Sequence, residues 1–584
     1  MPEYLAPAVF VEETSFRAKS IEGVGTSTAA FVGMTARGPL SVSPSDPTPP
    51  LLTSFGDYER YYGGTDDLAV GGAAVRNYLA HAARAFFNNG GGRLYVARLP
   101  GTDAVAGTSG TLNAANNAPG NKRVTIVGRQ SGGAKIPGSD DNFHVFVAQT
   151  ELPTTKKLAL KQPAGTMIQI GTEFYVVGID PVTTSAGNLA GFNNLADDGA
   201  CKIVTLAVEV HDPSGPVYEA GGLGLHPKHP RYIGAVLGAN PPVAIDALTN
   251  PVRIELGAAV TPFELREILQ LQANDDRVKT VRVAGGTDGT APPAADPVYM
   301  DALNSLLALE DISIVAAPGS SSFGGTAPAA INQALIGHAE ARRAYRIAVL
   351  DTPPNLELAG VQDLKSLIDS KYAALYYPWI RISNPLAATD PTQPTEFDVP
   401  PSGAVCGIYA RSDVQRGVWK APANETVTGA LALQRDIRFG EQEVLNPLGI
   451  NCIRALPNRG IRVWGARTIS SDPEWKYVNI RRYFLYLESS IDRGTQWAVF
   501  EPNGEALWAN VRTTVSDFLY NEWVSGALLG STPKEAFFVR CDRSTITQND
   551  LDNGRLICLI GVAAIKPAEF VIFRIGQKTA DARG

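Results

Sequence analysis

The sequence predicts a multidomain chain of mixed α/β and α+β class. A layered α/β domain is interrupted by a β-rich insertion and followed by a C-terminal α+β unit. Three observations carry this expectation. Strand-like and helix-like runs alternate on either side of a long stretch rich in Gly, Ala, Asn and Thr, and βαβα order argues for a parallel or mixed sheet covered by helices. All seven Trp lie between Trp379 and Trp523, whereas all six His lie at or before His338. Charge is divided too. Residues 402–584 carry 22 Lys+Arg against 19 Asp+Glu and residues 1–401 carry 29 against 39, giving +3 and −10 of the net −7.

Taken in order, residues 1–22 read as an extended arm: Val9, Phe10 and Val11 suit a strand bounded by Pro7. Residues 23–100 and 252–382 read as the α/β domain. Its strands fall at 28–33, 93–98, 312–316, 346–350 and 374–382, and its helices at 75–87, 329–343 and 358–370. Residues 101–251 read as an exposed β-rich insertion, with short β-like runs at 123–127, 143–147, 174–179 and 203–210 between turn residues. The Pro- and Thr-rich stretch 383–401 reads as a linker. The Trp- and Arg-rich unit over 402–566 holds a long helix at 503–529, where Leu507, Val511, Val515, Phe518 and Trp523 share a face, and strands at 537–541 and 556–564. Residues 567–584 form a C-terminal arm.

Composition narrows the function. With 44% hydrophobic and 19% charged residues over 584 positions, several cores can form. A net charge of −7 argues against a general phosphate-backbone binder, so no nucleic-acid partner is expected. Five dispersed Cys make no disulfide framework and suit a reducing compartment. The longest apolar stretch, near 556–565, is far short of the ~20 residues a membrane span needs. The first residues lack a basic segment followed by an apolar one, so assembly in the cytoplasm is the expectation.

Catalytic and cofactor signals are weak. No Gly-Lys pair exists, which excludes a Walker A loop, and Gly23-Val24-Gly25 lacks the third glycine of a dinucleotide fingerprint. The 285–289 run (GGTDG) reads as a turn rather than an anion cradle. G-x-S-x-G is absent; Ser320, His338 and Asp351 are the hydrolase candidates near strand ends, but His338 reads as part of a solvated helix face. His226 and His229 read as a surface loop and 550–554 as an Asn-Gly turn between strands rather than as metal sites. Basic and aromatic residues interleave at Arg481-Arg482-Tyr483-Phe484, a pattern shared by stacking sites and protein interfaces. No catalytic, cofactor-binding or metal-ligating residue is assigned, and no cofactor is expected.

The ends of the chain are more informative. Ala8, Val9, Phe10, Val11, Glu12 and Glu13 form one apolar strand candidate; Phe570, Val571, Ile572, Phe573, Arg574 and Ile575 form another. A lone terminal strand exposes unpaired backbone groups and apolar side chains, so it must dock. It can dock within its own subunit, or add a strand to a neighbour's sheet.

At this point the sequence resembles the contractile tail sheath protein family. The resemblance rests on Tyr4 to Glu13 and residues 23–37 (GVGTSTAAFVGMTAR), then on Ser402-Gly403, 407–413 (GIYARSD), 417–424 (GVWKAPAN) and 445–451 (LNPLGIN), and continues through 465–468 (GART) and 477–482 (YVNIRR). The insertion lies outside it.

The resemblance implies a non-enzymatic structural subunit of a sheath of stacked hexameric rings, with six-fold helical symmetry, around an inner tube protein. Contraction, driven by energy stored in the extended lattice, sends the tube through a target envelope, and baseplate and terminator or cap proteins are the other partners. It implies an α/β domain of subtilisin-like fold without catalysis, an outward-facing insertion, and a C-terminal core domain whose terminal arms swap strands with neighbours. Phe537, Phe538, Val539, Leu556, Ile557 and Leu559 would then belong to the receiving sheet. The particle would be a phage tail, a bacteriocin or another contractile injection system, released on lysis or kept in the producing cell. The competing expectations are a surface adhesin or glycan-binding structural protein, carried by the insertion, and an α/β hydrolase.

Overall fold

A computed structural model describes residues 20–40, 48–112, 122–130, 139–179, 182–185, 187–213, 215–269, 278–388 and 390–573. The chain is a mixed helix and sheet multidomain protein with two compact units. Among the described residues, the smaller gathers 20–26, Gln415–Ala421 and 477–573; the larger holds Ser27–Val414 and Pro422–Lys476.

The larger unit is built on an eight-stranded sheet. Arg93–Arg98, Thr28–Gly33, Ile314–Ala316, Ile347–Asp351, Ala373–Tyr377 and Ile450–Leu456 lie side by side and parallel; Gly460–Val463 and Glu425–Thr426 continue antiparallel. The inner strands are runs of small and branched apolar residues with every position buried. That is what a parallel sheet covered on both faces requires. Helices Asp296–Ser305, Ala327–Glu340 and Leu358–Ser366 supply Leu303, Leu335 and Val361 to the same core. The run expected as one strand at 374–382 is two, Ala373–Tyr377 and Ile380–Ser383, separated at Pro378, which has no N–H to continue a ladder.

The 383–401 stretch is not a boundary. Its Glu396–Val399 strand pairs with Ile380–Ser383, which also pairs with Ala430–Leu433. Helix Ser402–Arg416 then packs on helix Tyr78–Asn88. A Cβ on Gly403 would lie 2.5 Å from Ala82 Cα, and one on Gly407 2.4 Å from the Phe86 carbonyl oxygen. Two glycines one helical turn apart thus let the backbones touch. The expected boundary at 402 therefore moves to about 477, because residues 422–476 complete the eight-stranded sheet.

Among the described residues, the second sheet of this unit has ten strands and its own core around Val147, Val208 and Val283. Long strands Asp141–Thr155 and Ala200–Asp212 form its spine. Val252–Leu256 and Val278–Ala284 belong to it, so the expected end of the insertion at 251 moves to 284. Where the chain enters and leaves this region, its two crossing segments are tied together by backbone bonds. Thr102 and Val105 donate to Ala291 and Thr287, and Thr287 and Thr290 donate back to Val105 and Thr102, at 2.8–3.1 Å.

A candidate assembly site in the smaller unit

Two helices hold the smaller unit together, Val478–Gly494 and Glu505–Val524. Tyr483 and Leu487 of the first meet Leu507, Val511, Val515, Phe518 and Leu519 of the second. The expected helix at 503–529 is the second of these, shortened at both ends. Inside the interface the Tyr483 and Tyr486 hydroxyls donate to the Glu522 carboxylate at 3.2 and 2.8 Å. Burial raises the Glu522 pKa above the usual carboxylate range, and the two hydroxyls oppose that rise. Arg481 and Arg482 are internal rather than an exposed stacking surface. Arg481 pairs with Glu488 at 2.7 Å, and Arg482 donates to the Thr26 carbonyl at 2.9 Å.

That last bond belongs to an anchor for the start of the described chain. Ile21 is buried in the core of the unit, Val24 N–H donates to Ser490 Oγ at 3.1 Å, and Gly23 lies so close that a Cβ would fall 2.2 Å from Tyr486 Oη. The candidate arm residues Ala8, Val9, Phe10, Val11, Glu12 and Glu13 lie outside the described residues.

Phe537–Arg540 and Leu559–Val562 form an antiparallel pair, in register Phe537↔Val562 through Arg540↔Leu559. Among the described residues, this sheet has no third strand. Phe537, Val539, Ile560 and Val562 turn toward the helical core. The other face carries exposed Phe538 and Leu559, with the Phe538 ring lying over Gly561, where a Cβ would sit 2.2 Å from it. Of the residues expected to receive a partner strand, Phe537, Phe538, Val539 and Leu559 are in this pair. Leu556 and Ile557 precede it, because the strand expected from 556 begins at Leu559. Of the turn expected at 550–554, Asn553-Gly554 do form a turn, but it follows a short helix, Gln548–Asp552, with a capping box between Thr547 and Asp550.

Beyond the pair, side chains of the Val478–Gly494 helix and its N-cap also hold the chain. Asn479 donates to the Ile565 carbonyl at 3.3 Å, and Tyr477 donates to the Glu569 carboxylate at 3.0 Å. Then Phe570, Val571, Ile572 and Phe573 are 70%, 69%, 78% and 83% exposed. Arg574 and Ile575 lie outside the described residues. Four successive apolar side chains in water, in the same unit as a two-stranded sheet with outer edges, define a surface that association would complete.

In the larger unit, the hydrogen bonds of Ser320, His338 and Asp351 do not link them into a hydrolytic triad. Ser320 Oγ donates to the Ala317 carbonyl at 2.7 Å; Asp351 accepts from the backbone N–H and hydroxyl of Ser402 at 2.8 and 2.5 Å. His338, expected on a solvated face, is buried, with Nε2 2.6 Å from Arg346 Nη1. Burial and that neighbouring cation push His338 down to about 3. His226 and His229 each use Nδ1 to accept a nearby backbone N–H, from Lys228 and Arg231. The Gly286 N–H, part of the glycine-rich turn, is taken by Asn142 Oδ1. A cleft of about 370 Å³ is lined by Arg37, Asp212 and Arg129. Arg37 pairs with Asp212, and Arg129 donates to the carbonyls of Gly238, Ala239 and Asn250. None of the three hydrolase candidates lines it.

Comparison with known proteins places the chain. Residues 294–469 match the phage tail sheath protein central domain and residues 470–578 the phage tail sheath C-terminal domain. Residues 294–578 therefore carry the central and C-terminal domains of the phage tail sheath family, whose members are structural proteins of phage tails and contractile injection systems. The chain is 28% identical over 268 residues to a protein described as a prophage major tail sheath protein of Pseudomonas aeruginosa (strain UCBPP-PA14); the match covers 45% of this chain and 64% of that protein. Its fold is similar to that of the anti-feeding prophage helical sheath in the contracted state (TM-score 0.52, 20% identity, 98% of this chain and 100% of the other). The sheath complex of the extracellular contractile injection system PVC, also contracted, is similar to the same degree (TM-score 0.51, 20% identity, 99% of each chain).

Proposed function

We propose that this chain is the repeating subunit of a contractile sheath. It polymerises as stacked hexameric rings around an inner tube, and its terminal arms complete the strand pairs of neighbouring copies. One observation supports this above the others: the exposed 570–573 run lies in the same unit as a two-stranded sheet open at its edges. Burying such side chains contributes ~1.5–3 kcal/mol each, and each ladder hydrogen bond a net ~0.5–1.5 kcal/mol. Added strands therefore supply a several-kcal/mol link per neighbour. Paired strands act as hinges while the units between them move as bodies, so an extended lattice can convert to a contracted one without losing its links. A small free-energy difference per subunit, summed along the sheath, drives the tube outward.

The reading is non-enzymatic, needs no cofactor, and takes baseplate and cap proteins as the other partners within a phage tail or injection particle assembled in the cytoplasm. Among the described residues, no helix is long and apolar enough to cross a membrane. Deleting residues 2–14 or 568–584 tests the proposal. The expected result is a folded subunit by circular dichroism that forms no tubes under negative-stain microscopy; full-length tubes from either deletion overturn the swapped-arm reading.

A further inference from the structure

The open strand pair ends in two thiols. One step past Arg540↔Leu559, the register sets Cys541 opposite Cys558. Ala563 N–H donates to the Ala536 carbonyl at 2.8 Å. By the alternation of an antiparallel ladder, 537/562, 539/560 and 541/558 are then the pairs without direct hydrogen bonds, whose Cα atoms stand ~4.5 Å apart. A disulfide spans Cα separations of ~4.4–6.8 Å. Both thiols are free and hydrogen-bond one another. Cys541 is sealed in the helical core and Cys558 is half-buried at the rim. Elsewhere, Cys201 and Cys452 face Thr154 and Tyr377 across their ladders, and Cys406 is on a helix.

We propose that Cys541 and Cys558 form a redox-sensitive dithiol, which closes into an intrachain disulfide when the protein meets a low-molecular-weight disulfide. The Cys558 thiolate attacks one sulfur of the small disulfide and expels a small thiolate. The Cys541 thiolate then attacks the Cys558 sulfur of the mixed disulfide and expels the second. One protein S–S bond replaces one small-molecule S–S bond. The two cysteines together lose two electrons, and their protons leave on the two small thiols. The bond staples the strand pair at the mouth of its 542–557 connection. The inference concerns one chain alone and does not depend on how copies assemble. Burial pushes the Cys558 thiol up to about 12 and raises Cys541, so closure is slow at neutral pH and quickens as pH rises. Arg512, which donates to the Cys541 carbonyl at 3.3 Å, lowers both.

The test treats the full-length chain with oxidised glutathione at pH 7 and pH 9, then unfolds it in guanidinium with excess iodoacetamide, so that the buried thiols are also blocked, and maps the peptides. The expected result is loss of two of the five alkylatable thiols, a 2 Da decrease in chain mass (two hydrogens lost), and linked peptides carrying Cys541 and Cys558. Formation should be more than ten-fold faster at the higher pH, because the thiolate fraction rises about ten-fold per pH unit below the thiol pKa, and the bond should raise the urea midpoint. Cys558→Ser, at the half-buried position, carries the mutant arm because Cys541 is a core residue; it should abolish the linked peptide. Five alkylated thiols, an unresolved glutathione adduct on Cys558, or two thiols still lost in Cys558→Ser would each overturn the proposal.

Discussion

The Tyr477 hydroxyl donates to the Glu569 carboxylate at 3.0 Å, directly ahead of the point where four apolar side chains run out into solvent. This bond sets the direction in which the C-terminal segment leaves the unit. Tyr477→Phe removes one hydrogen bond to a charged acceptor, worth ~1.5–3 kcal/mol when well formed. At a half-buried site, the expected loss in the melting temperature of the isolated chain is a few degrees at most. Tube yield should fall more steeply than stability, and scanning fluorimetry beside particle counts by electron microscopy checks the contrast.

Ile572→Asp places a charge on a side chain that is 78% exposed in the single chain. Stability of the isolated chain should change by no more than ~0.5 kcal/mol. Assembly should be lost, because a desolvated carboxylate has no partner in an apolar strand interface. Urea denaturation and sedimentation measure the two quantities on one preparation.

Gly23→Val should act on the other end. A Cβ there collides with Tyr486 Oη, and Tyr486 is tied to Glu522. Overpacking of this kind costs ~1–3 kcal/mol. The expected outcome is release of residues 20–26 from the Val478–Gly494 helix, read as faster amide exchange at Val24, with the larger unit unaffected.

Asp351 predicts a pH dependence. Burial pushes its carboxyl up to about 7, and its two hydrogen bonds from Ser402 only partly offset that rise. A folded-state pKa above the unfolded one means the native state holds the proton more tightly. The associated stability is fully present below about pH 4 and is lost as pH rises through 7. The gap between those values bounds the effect at ~4 kcal/mol. Asp351→Asn keeps an acceptor for the Ser402 N–H but does not titrate. Its urea midpoint should vary less between pH 5 and 8 than that of the parent chain; an equal slope in both would rule Asp351 out as the source.

The parallel sheet was largely readable from sequence because its strands are short apolar runs with turns between them. Thr28–Gly33 and Arg93–Arg98 appear with the bounds their residues suggest. The boundary at 402 misled for a physical reason. A shift toward Trp and Arg looks like a new domain, but Trp379 fills the larger core, where its indole N–H meets the Thr352 carbonyl at 2.6 Å. Strands from 425 to 463 complete a sheet begun at residue 28. His338 misled likewise. Its neighbours Arg342 and Arg343 suggest a wet helix face, whereas its partner Arg346 stands beyond the helix end and comes close only after the chain turns. The open strand pair was visible as two apolar runs. The offset that begins the second at Leu559 depends on Thr545, whose hydroxyl takes the Ile557 carbonyl at 3.0 Å and keeps that residue out of the ladder.

The backbone tie at Thr102, Val105, Thr287 and Thr290 has a consequence of its own. Some 180 residues leave and rejoin the body beside four backbone bonds that tie the entering segment to the leaving one, with the Arg37–Asp212 ion pair as a further link. What hangs beyond them is a graft port. An engineer can splice in a foreign display module there, because the parallel sheet and the inserted sheet each have a core of their own.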